Sequence, residues 1–478
     1  MSNILIIGAG AAGMTAAIRA AQRGKKVIVL EKTDRVGGTL SLTAGHLSAA
    51  NTRRQANASI NDTTADHYSD IARICRQTMD PLLTRKAVEL APDTINWLDE
   101  LGYPFHDKAP AIIYGHEAYT TARTYFGKED VHPRMQQPGQ TLLRLLQPLW
   151  EEQVSKGHIQ LVTECQFQSF ETVDNLITGV VALQAGNPKH FTAQQYLLTT
   201  GGYTSDAAFF EKHTPGCTRS MSAAHPASTG DGIKAAMEVG AVFRGADKQM
   251  YTLGGIELSP GSGRVNFWQA WARMSNGKDR KQREIYVNDL GKRFMNEYDW
   301  SVDQRERAML EQPGKRCWII FDQRALYAGD SLVPQWTTDQ LIEESKREKA
   351  VWQADSIKEL SLKIGLPYDA LQTTIEQFNH ACTIQSDEKF NRTYLDFPLR
   401  QPPYFAVLTY AYALISFGGL QVNEKLQVVD RRGQPFQNLF AAGEILGAAA
   451  TSGQAFCGGM LLTPAISFGK WLGDRLSK

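Results

Sequence analysis

The chain has few cysteines, and none of them has the spacing of a metal or haem site. Six cysteines are spread over 478 residues, without a C-x-x-C or a C-x-x-C-H motif. This spacing excludes a local zinc knuckle, an iron–sulfur run and a c-type haem attachment, so no metal is expected. Cysteines so far apart in a large chain are typical of reduced, buried thiols.

The chain also lacks an excess of charge of either sign and a long apolar run. It has 51 Lys and Arg against 50 Asp and Glu, a formal net charge of +1. This balance argues against binding nucleic acid or an anionic membrane through the overall field. No apolar run approaches about 18 residues, and no basic and then apolar leader precedes the first strand, so neither a membrane span nor a secretory signal is expected. We therefore expect a cytoplasmic protein of two or more domains, since a domain averages about 150 residues.

Glycine is modestly abundant, with 40 residues, and its placement is informative. An apolar run over 4–7 indicates a buried parallel strand, and Gly-Ala-Gly-Ala-Ala-Gly follows it at 8–13. A helical pattern covers 14–23, and a second buried strand over 26–30 leads to Glu31. A strand, a G-x-G-x-x-G turn, a helix, a second strand and a terminal acid, in this order, predict a dinucleotide-binding unit.

Each residue of this unit has a physical task. Gly8 permits the tight turn, Gly10 lets the backbone approach a pyrophosphate, and Gly13 lets the helix pack on the strand. The N-terminus of the helix faces the phosphates. Glu31 is placed to accept hydrogen bonds from a ribose hydroxyl and would repel a 2′-phosphate, so NADP is disfavoured while NAD and FAD remain.

A second glycine cluster favours FAD over NAD. Gly37-Gly38-Thr39 follows Glu31-Lys32, and Ala44-Gly45-His46 comes next. FAD extends beyond the pyrophosphate, and its wide ring system requires close approach of the backbone. The segment resembles the FAD-dependent fumarate reductase, succinate dehydrogenase and 3-ketosteroid Δ1-dehydrogenase superfamily, in which a G-G-x-x-x-x-x-G-G element cradles the flavin. Ala44 replaces the third glycine of that element, and Gly45 keeps the fourth.

Later segments resemble motifs of the same superfamily, in the same order. Thr199-Thr200-Gly201-Gly202 resembles its A-T-G-G element, and Thr229-Gly230-Asp231-Gly232 resembles its T-G-D-G. The segment 439–444 resembles L-Y-A-A-G-E, whose acid binds FAD, and Gly458-Gly459 precedes a closing helix. The resemblance implies FAD as the cofactor. The cofactor-binding residues that it implies are Gly8, Gly10, Ala12, Gly13, Glu31, Lys32, Gly37, Gly38, Thr39, Ala44, Gly45, Thr200, Gly201, Gly202, Asp231, Gly443, Glu444, Gly459 and Leu461.

The resemblance also implies the fold class. It is α/β, with a Rossmann-like FAD-binding domain of the glutathione-reductase type and an inserted α+β capping or substrate domain. The expected segments are 1–240 for the first part of the FAD-binding domain, 241–394 for the capping domain and 395–478 for the C-terminal part. The middle segment is rich in tryptophan, with helical patterns over 341–371 and a predicted strand over 318–321.

The chain departs from the fumarate reductases in several places. Their H-T-M-G-G signature reads Ile-Ser-Phe-Gly-Gly at 415–419, so its histidine is missing. Their N-R-x-G-G segment, whose arginine grips a carboxylate, has no arginine at 454–459. After Gly-Lys-Arg-Phe-Met-Asn-Glu at 291–297, their proton-donating arginine is matched by Ser301. These losses make a fumarate or succinate enzyme an unfavoured interpretation.

The ketosteroid dehydrogenases resemble the chain better, although their tail tyrosine is absent. Their tail reads T-Y-P-G-P-G-A-T. This chain keeps Gly459, whose backbone N–H can polarise a ketone oxygen, and has Ala455 with Phe456 beside it where the tyrosine would be. A tyrosine that moves the proton must then come from elsewhere, with Tyr251 and Tyr412 as alternatives beside superfamily motifs.

The leading source of that tyrosine is a dense cluster over 114–125, where the superfamily places residues that contact substrate. A phenol with a pKa near 10 can remove a hydrogen made acidic by a polarised ketone, above all where a neighbour lowers that pKa. Tyr119 is the first candidate and Tyr125 the second. Arg123 or His116 is expected to bind a substrate carboxylate. The expected catalytic residues are therefore Tyr119, Tyr125, Arg123, His116, Gly459 and Phe456.

The resemblance implies an FAD-dependent oxidoreductase that acts on CH–CH bonds next to the carbonyl of a small molecule. The favoured hypothesis is a desaturase of a cyclic ketone, such as a 3-ketosteroid or a 4-oxocyclohexanecarboxylate. An enone or enoate reductase of the fumarate-reductase type is the alternative, because one site serves both directions. A non-catalytic or electron-transfer flavoprotein is a hypothesis of another class.

The chain shows no second unit of strand, G-x-G-x-x-G and helix. Gly261-Ser262-Gly263 follows a proline and indicates a turn. A built-in nicotinamide domain is therefore not expected. Electrons are expected to pass to or from an external partner, such as oxygen, a quinone or free flavin.

Overall fold

The computed structural model describes residues 2–113, 116–128, 139–217, 221–274 and 280–476. The strands are β1 Ser2–Ile7, β2 Val27–Leu30, β3 Leu47–Ser48, β4 Thr124–Tyr125, β5 Ile159–Val162, β6 Cys165–Val173, β7 Leu176–Gln184, β8 Asn187–Phe191, β9 Ala193–Leu198, β10 Phe243–Arg244, β11 Thr252–Gly255, β12 Ile285–Val287, β13 Arg316–Asp322, β14 Val351–Ala354, β15 Tyr404–Tyr412, β16 Gly419–Leu420, β17 Gln427–Val429 and β18 Pro435–Ala441. The helices are α1 Ala11–Gln22, α2 Arg53–Asn57, α3 Thr64–Ile74, α4 Pro81–Glu100, α5 Gln140–Ser155, α6 Ala207–His213, α7 Asp231–Glu238, α8 Val302–Leu310, α9 Gln323–Tyr327, α10 Thr338–Arg347, α11 Ile357–Ile364, α12 Tyr368–Ile384, α13 Ala449–Ser452 and α14 Leu462–Arg475. None of these described helices is long and apolar enough to cross a membrane.

A six-stranded sheet in the order β17, β18, β9, β1, β2, β5 forms the first layer. β1 pairs in parallel with β2 and β9, so Ile6 lies between Val29 and Leu197. β5 and β18 extend the parallel arrangement, and β17 closes one edge in the antiparallel direction. Residues 4–7 are at most 2% exposed, as expected of a strand covered on both faces. The strand, glycine turn, helix and strand predicted over 4–30 are confirmed, and so is the α/β flavoprotein fold class.

Helix α1 follows the glycine turn and packs against α14, the last helix. The two helices approach closely at glycines. A Cβ added to Gly469 would lie 2.4 Å from the carbonyl oxygen of Ala12, and one added to Gly473 would lie 2.5 Å from that of Ala16. Real side chains do not fit at such distances, so the crossing requires glycine. The C-terminal helix is thereby packed against the helix that follows the N-terminal strand.

An antiparallel sheet in the order β11, β15, β13, β12, with β14 beside β15, forms the second layer. β13 contains the strand predicted over 318–321, and Trp318 lies opposite Leu408 of β15. Helices α11 and α12 cover this sheet. Phe378 of α12 and Ile320 of β13 belong to the same buried apolar cluster. β15 belongs to this sheet although it lies beyond residue 394, so we propose that the capping unit extends through residue 412.

A short antiparallel ladder between β3 and β4 connects the first layer to the segment 116–128. Leu47 lies opposite Tyr125, and Ser48 lies opposite Thr124. The segment that follows the second glycine cluster is thereby held beside the residues that precede α5.

Replacing Gly469 by alanine is expected to destabilise the protein, because the new methyl group has no room against the carbonyl oxygen of Ala12. Overpacking of this kind costs about 1–3 kcal/mol. Chemical denaturation followed by circular dichroism measures the change. Arg475→Ala, at an exposed position of the same helix, is the control. A Gly469→Ala variant as stable as the wild type would contradict the described packing.

Candidate active site

A cavity of about 920 Å³ lies where the carboxyl ends of β1, β2 and β9 meet. Gly8, Glu31 and Thr200 come just after these strands and line it. The carboxyl ends of parallel strands are where open α/β sheets bind their ligands. Tyr412, from the second sheet, and Phe456, from the C-terminal segment, line it as well. The cavity therefore lies between the two layers.

The turn between β1 and α1 permits the close approach of a ligand. Gly8 has a φ of +100°, and a Cβ there would lie 2.5 Å from the carbonyl oxygen of Thr199. A Cβ on Gly13 would lie 2.0 Å from the carbonyl oxygen of Gly8. Gly10, in contrast, faces open space, with nothing within 4 Å of an added Cβ. No side chain caps α1, which leaves its first N–H groups available to a pyrophosphate.

The acid that follows β2 is oriented by three hydrogen bonds. The backbone N–H of Ala9 donates to Oε2 of Glu31 at 2.9 Å. The backbone N–H and the hydroxyl of Thr33 donate to Oε1 at 2.9 and 2.8 Å. A carboxylate oxygen can accept more than one hydrogen bond, so Glu31 can still accept from ribose hydroxyls.

An ion pair lines the cavity beside this acid. The Nζ of Lys32 donates to Oγ1 of Thr229 at 2.8 Å and to Oδ2 of Asp231 at 3.1 Å. Burial opposes the charge of Asp231, but hydrogen bonds from Thr229 and Lys32 hold its pKa below the ordinary value. The segment that resembles T-G-D-G is thereby tied to the end of β2.

Glu444, the acid of the segment that resembles L-Y-A-A-G-E, also lines the cavity. The backbone N–H and the hydroxyl of Ser416 each donate to its Oε1 at 2.9 Å. Burial raises the pKa of Glu444. A Cβ on Gly202 would lie 1.8 Å from the hydroxyl oxygen of Ser416, so this contact requires the second glycine of the A-T-G-G-like element.

The residues present fit FAD. Thr200 lines the cavity, and its buried Oγ1 has no hydrogen-bond partner among the described residues; Gly10 leaves the open space that a pyrophosphate needs. The expected cofactor-binding residues that line the cavity are Gly8, Gly10, Ala12, Glu31, Lys32, Gly38, Thr39, Ala44, Thr200, Gly201, Asp231, Gly443, Glu444, Gly459 and Leu461. The expected residues that are not in the lining are Gly13, Gly37, Gly45 and Gly202.

Tyr119, the first catalytic candidate, lines the cavity, but its hydroxyl already has a partner. It donates to the carbonyl oxygen of Gly458 at 2.7 Å. The ring meets His67 edge-on, with centroids 5.3 Å apart, and burial raises the pKa of Tyr119 well above its ordinary value. This is the opposite of the lowered pKa that favours a phenolic base.

Tyr125 and Arg123 are buried and are not in the cavity lining. The hydroxyl groups of Tyr125 and Thr52 share a hydrogen bond of 2.5 Å. Arg123 donates to both carboxylate oxygens of Asp62 at 2.7 Å and to Asp70 at 2.6 Å. A guanidinium held by two carboxylates is not available to a ligand, so the expected carboxylate-binding role of Arg123 does not fit this geometry.

His116 and Phe456 line the cavity as a stacked pair. Their ring centroids are 4.3 Å apart and their planes differ by 24°. The Nδ1 of His116 lies 3.0 Å from Oε1 of Glu306, whose side chain is 2% exposed. Glu306 lies on α8, and nothing in its local sequence distinguishes it from a surface acid, so sequence reasoning missed it. Tyr114, in the same cluster as His116, lies outside the described residues.

Tyr412 lines the cavity, and its buried hydroxyl is unpaired among the described residues. The residue is 1% exposed, and its Oη has no hydrogen-bond partner among the described residues. Burial raises the pKa of Tyr412, and the charge of Glu306 adds to the effect. Val265 and Trp271 pack with this tyrosine. The indole N–H of Trp271 donates to the carbonyl oxygen of Leu253 at 2.7 Å, which fixes this part of the wall.

Further lining residues from the second layer were missed by sequence reasoning. Arg264, Phe267 and Trp268 all line the cavity. Arg264 donates to the hydroxyl of Ser205 at 3.0 Å and to the carbonyl oxygen of Ala224 at 2.7 Å. The tryptophan content of the middle segment was the available signal, but composition does not tell which aromatic rings face a cavity.

Ser301, which is predicted to stand at the place of the superfamily's proton-donating arginine, is the N-cap of helix α8. Its Oγ accepts from the backbone N–H of Gln304 at 3.2 Å and donates to Oε2 of Glu117 at 2.8 Å. Glu117 and His46 both line the cavity. Burial lowers the pKa of His46 to about 4, with the charge of His116 as the second cause, so its imidazole is neutral near pH 7.

A parallel sheet with a glycine turn, an acid placed for a ribose and a cavity closed by a second sheet define a dinucleotide-dependent flavoprotein. Residues 3–461 match the FAD binding domain family, and the chain belongs to this family. Its cofactor is FAD. The protein is an FAD-dependent oxidoreductase that acts on C=C bonds, which sets aside the non-catalytic hypothesis.

Two named relatives are similar along nearly the whole chain. The probable fumarate reductase Ifc3 of Shewanella frigidimarina is 26% identical, over 100% of this chain and 75% of its own length. The vinyl phenol reductase of Lactiplantibacillus plantarum is 26% identical, over 95% of this chain and 91% of its own length. The solved 3-ketosteroid Δ1-dehydrogenase of Sterolibacterium denitrificans has the same fold, with a TM-score of 0.81, 21% identity and coverage of 100% and 99%. The expected leaning to the ketosteroid side is thus supported in part, by the fold rather than by the sequence relatives.

Replacing Gly10 by valine is expected to abolish FAD binding and to leave the fold intact, because the added carbons enter open cavity and meet no protein atom near the Cβ. Flavin absorbance of the purified protein and fluorescence titration with FAD measure binding, and circular dichroism measures the fold. Gln22→Val, at an exposed position of the same helix, is the control. Retention of FAD by the Gly10→Val protein would contradict a pyrophosphate at this turn.

Proposed function

We propose that the protein reduces a C=C bond conjugated to an uncharged carbonyl or aryl group in a small, planar substrate. The observation that carries this proposal is made at Tyr412, which lines the cavity and whose buried hydroxyl has no partner among the described residues. FAD, held by the residues described above, supplies hydride transfer. Tyr412 and the aromatic side chains around it recognise the substrate.

The unpaired hydroxyl calls for an acceptor on the ligand. A buried polar group without a hydrogen bond costs about 1–3 kcal/mol, and a ligand oxygen removes this cost. Because burial raises the pKa of Tyr412, the phenol stays protonated near neutral pH and acts as a donor. A donor at a carbonyl or phenol oxygen stabilises the negative charge that develops there when a hydride adds to the conjugated carbon.

The charges in the lining argue against a carboxylate substrate. Among the described residues, the lining contains one arginine and one lysine, Arg264 and Lys32. Lys32 is paired with Asp231, and Arg264 is held by Ser205 and Ala224. Neither cation is oriented as an open carboxylate clamp, whereas Phe267, Trp268 and Trp271 offer flat apolar surface.

Reduction is favoured over desaturation by the protonation state of the buried phenols. A reductase needs groups that donate a proton or a hydrogen bond, whereas a desaturase needs a base. Burial raises the pKa of both Tyr119 and Tyr412, so both remain donors. The relatives named above are reductases by name, and one of them is named for a vinyl phenol.

Desaturation of a cyclic ketone is the second candidate. The apolar, aromatic wall that suits a vinyl arene also suits a saturated ring, and Gly459 lines the same cavity. The hydride then moves in the opposite direction, and a base must take the proton beside the ketone.

The experiment compares substrates by the colour of the flavin in the absence of oxygen. The dithionite-reduced holoenzyme is mixed with 2-cyclohexenone, 4-vinylphenol or fumarate in a stopped-flow spectrometer. We expect rapid reoxidation by one of the first two and little by fumarate. Bleaching of the oxidised enzyme by cyclohexanone, without reoxidation by any alkene, would favour the desaturase. Reoxidation by fumarate alone would overturn the proposal.

Replacing Tyr412 by phenylalanine is expected to slow the reduction of the preferred alkene by about 100-fold, since one donor to a developing oxyanion is lost. The absorption spectrum of the bound flavin should not change in the absence of substrate. Tyr251→Phe is the control, because Tyr251 is equally buried and its hydroxyl is outside the cavity lining. Equal loss of activity in both variants would mean that the effect comes from packing.

A further inference from the structure

A histidine and a buried carboxylate meet at the edge of the cavity. The side chain of His116 is 26% exposed and lines the cavity, while that of Glu306 is 2% exposed. Their Nδ1 and Oε1 atoms are 3.0 Å apart. The imidazole also stacks on Phe456, whose ring meets Phe417 edge-on at 5.4 Å. Two contacts therefore fix the imidazole, and Nε2 is the ring nitrogen that remains for a ligand.

Burial makes an isolated charge on Glu306 unfavourable, and the histidine is its hydrogen-bonded partner. The charged or titratable groups around the pair come from several elements. On α8 itself, the charge of Asp303 raises the pKa of Glu306 and the charge of Arg305 lowers it. Tyr412, from β15, and His46, from the segment after the second glycine cluster, lie near enough to interact with the pair. Burial raises the pKa of Glu306, and the contact with His116 opposes that rise.

We propose that His116 donates the proton that completes the reduction, with Glu306 as the residue that positions its ring and stabilises its charge. This inference rests on the proposed function. With reduced FAD bound, one carbon of the alkene would receive a hydride, and the other would receive the proton from Nε2 of His116. The π bond breaks, two C–H bonds form, and the imidazole is left neutral, with its Nδ1–H still bonded to Glu306. An external reductant, such as a reduced flavin or a quinol, restores the two electrons, and solvent restores the proton.

The pair lies close to the start of helix α8, where the sequence resemblance predicts the superfamily's arginine. Ser301 stands where that arginine is expected and binds Glu117 instead. Glu306 lies on helix α8, whose N-cap is Ser301. It faces His116, which belongs to the segment 116–128. Glu306 would have no part in the expected binding of a substrate carboxylate by His116. In proton donation, Glu306 would stabilise the charged imidazole.

The first test separates hydride transfer from proton transfer. Hydride addition to 1-nitrocyclohexene gives a stable nitronate anion, so this substrate needs no proton donor, whereas 2-cyclohexenone does. His116→Gln keeps a hydrogen bond to Glu306 but cannot donate a proton at neutral pH. We expect reoxidation of the reduced variant by cyclohexenone to slow by about 10²–10⁴-fold. Reoxidation by nitrocyclohexene should stay within about threefold of the wild type.

The second test uses the pH dependence of the same two reactions. The rate with cyclohexenone should fall as the pH rises, because the pair loses its proton. In Glu306→Gln this descending limb should move to lower pH, since the carboxylate no longer stabilises the imidazolium. The rate with nitrocyclohexene should lack the limb in both proteins. A role of Glu306 in folding alone would not move a pH profile.

The chain offers a matched control for both tests. His190 and Glu171 form a pair with the same atoms and the same distance of 3.0 Å, but they are exposed on the β6–β7–β8 sheet. His190→Gln and Glu171→Gln should change neither rate. If the Glu306→Gln protein does not fold, the double variant His116→Phe with Glu306→Leu removes the buried charge and provides a second protein without the donor.

The outcomes distinguish the two proposals. If the wild type reacts with neither cyclohexenone, vinylphenol nor nitrocyclohexene, the proposed function fails. If the wild type reacts but His116→Gln slows reoxidation by cyclohexenone and by nitrocyclohexene equally, His116 orients the substrate and the proton-donor proposal is overturned. An unchanged pH limb in Glu306→Gln overturns the role assigned to Glu306.

Discussion

The close contact between the turn after β1 and the end of β9 is the constraint on which the rest of the structure depends. Gly8 lies so near to Thr199 that a Cβ would be 2.5 Å from its carbonyl oxygen, and the hydroxyl of Thr199 donates to the carbonyl oxygen of Gly8 at 2.6 Å. This contact brings the ends of two parallel strands to one edge of the sheet. Helix α1 begins at the same point, so its unpaired N–H groups and the open side of Gly10 face the same space. We propose that the anionic pyrophosphate of FAD lies in this space.

The cofactor side of the site was predictable because its tasks are local. The turn over 8–13 and the acid Glu31 act within one strand–helix–strand unit, so their order along the chain carries the information. The structure adds a distinction that the motif does not contain. Gly10 faces the cavity, whereas Gly13 and Gly202 are glycines because neighbouring backbone and side-chain atoms leave no room for a Cβ. A glycine motif therefore predicts the cofactor without telling which of its members touches it.

The substrate side was not predictable, because it depends on how distant elements meet. Arg123 and Tyr125 belong to the same dense cluster as Tyr119, yet they are buried outside the lining, Arg123 against two carboxylates and Tyr125 beside β3. Tyr412 comes from a strand of the second sheet and Glu306 from a helix. No spacing rule relates these positions to the segment 116–128, and their proximity to it arises only when the second layer packs over the first.

Two hydrogen-bonded pairs of ionisable groups lie at the cavity, and this bears on the chemistry. Lys32 faces Asp231, and His116 faces Glu306. An unpaired charge is strongly unfavourable in a poorly solvated site, so such a cavity favours a substrate without a charge of its own. Addition of a hydride and a proton leaves the substrate neutral, but the donor pair then carries the negative charge of Glu306 until it regains a proton. A fully enclosed pair would hold that charge at high cost. The partial exposure of His116, at 26% against 2% for Glu306, gives the proton a route back from solvent, so the open edge of the imidazole and the deep burial of the carboxylate are two parts of one arrangement.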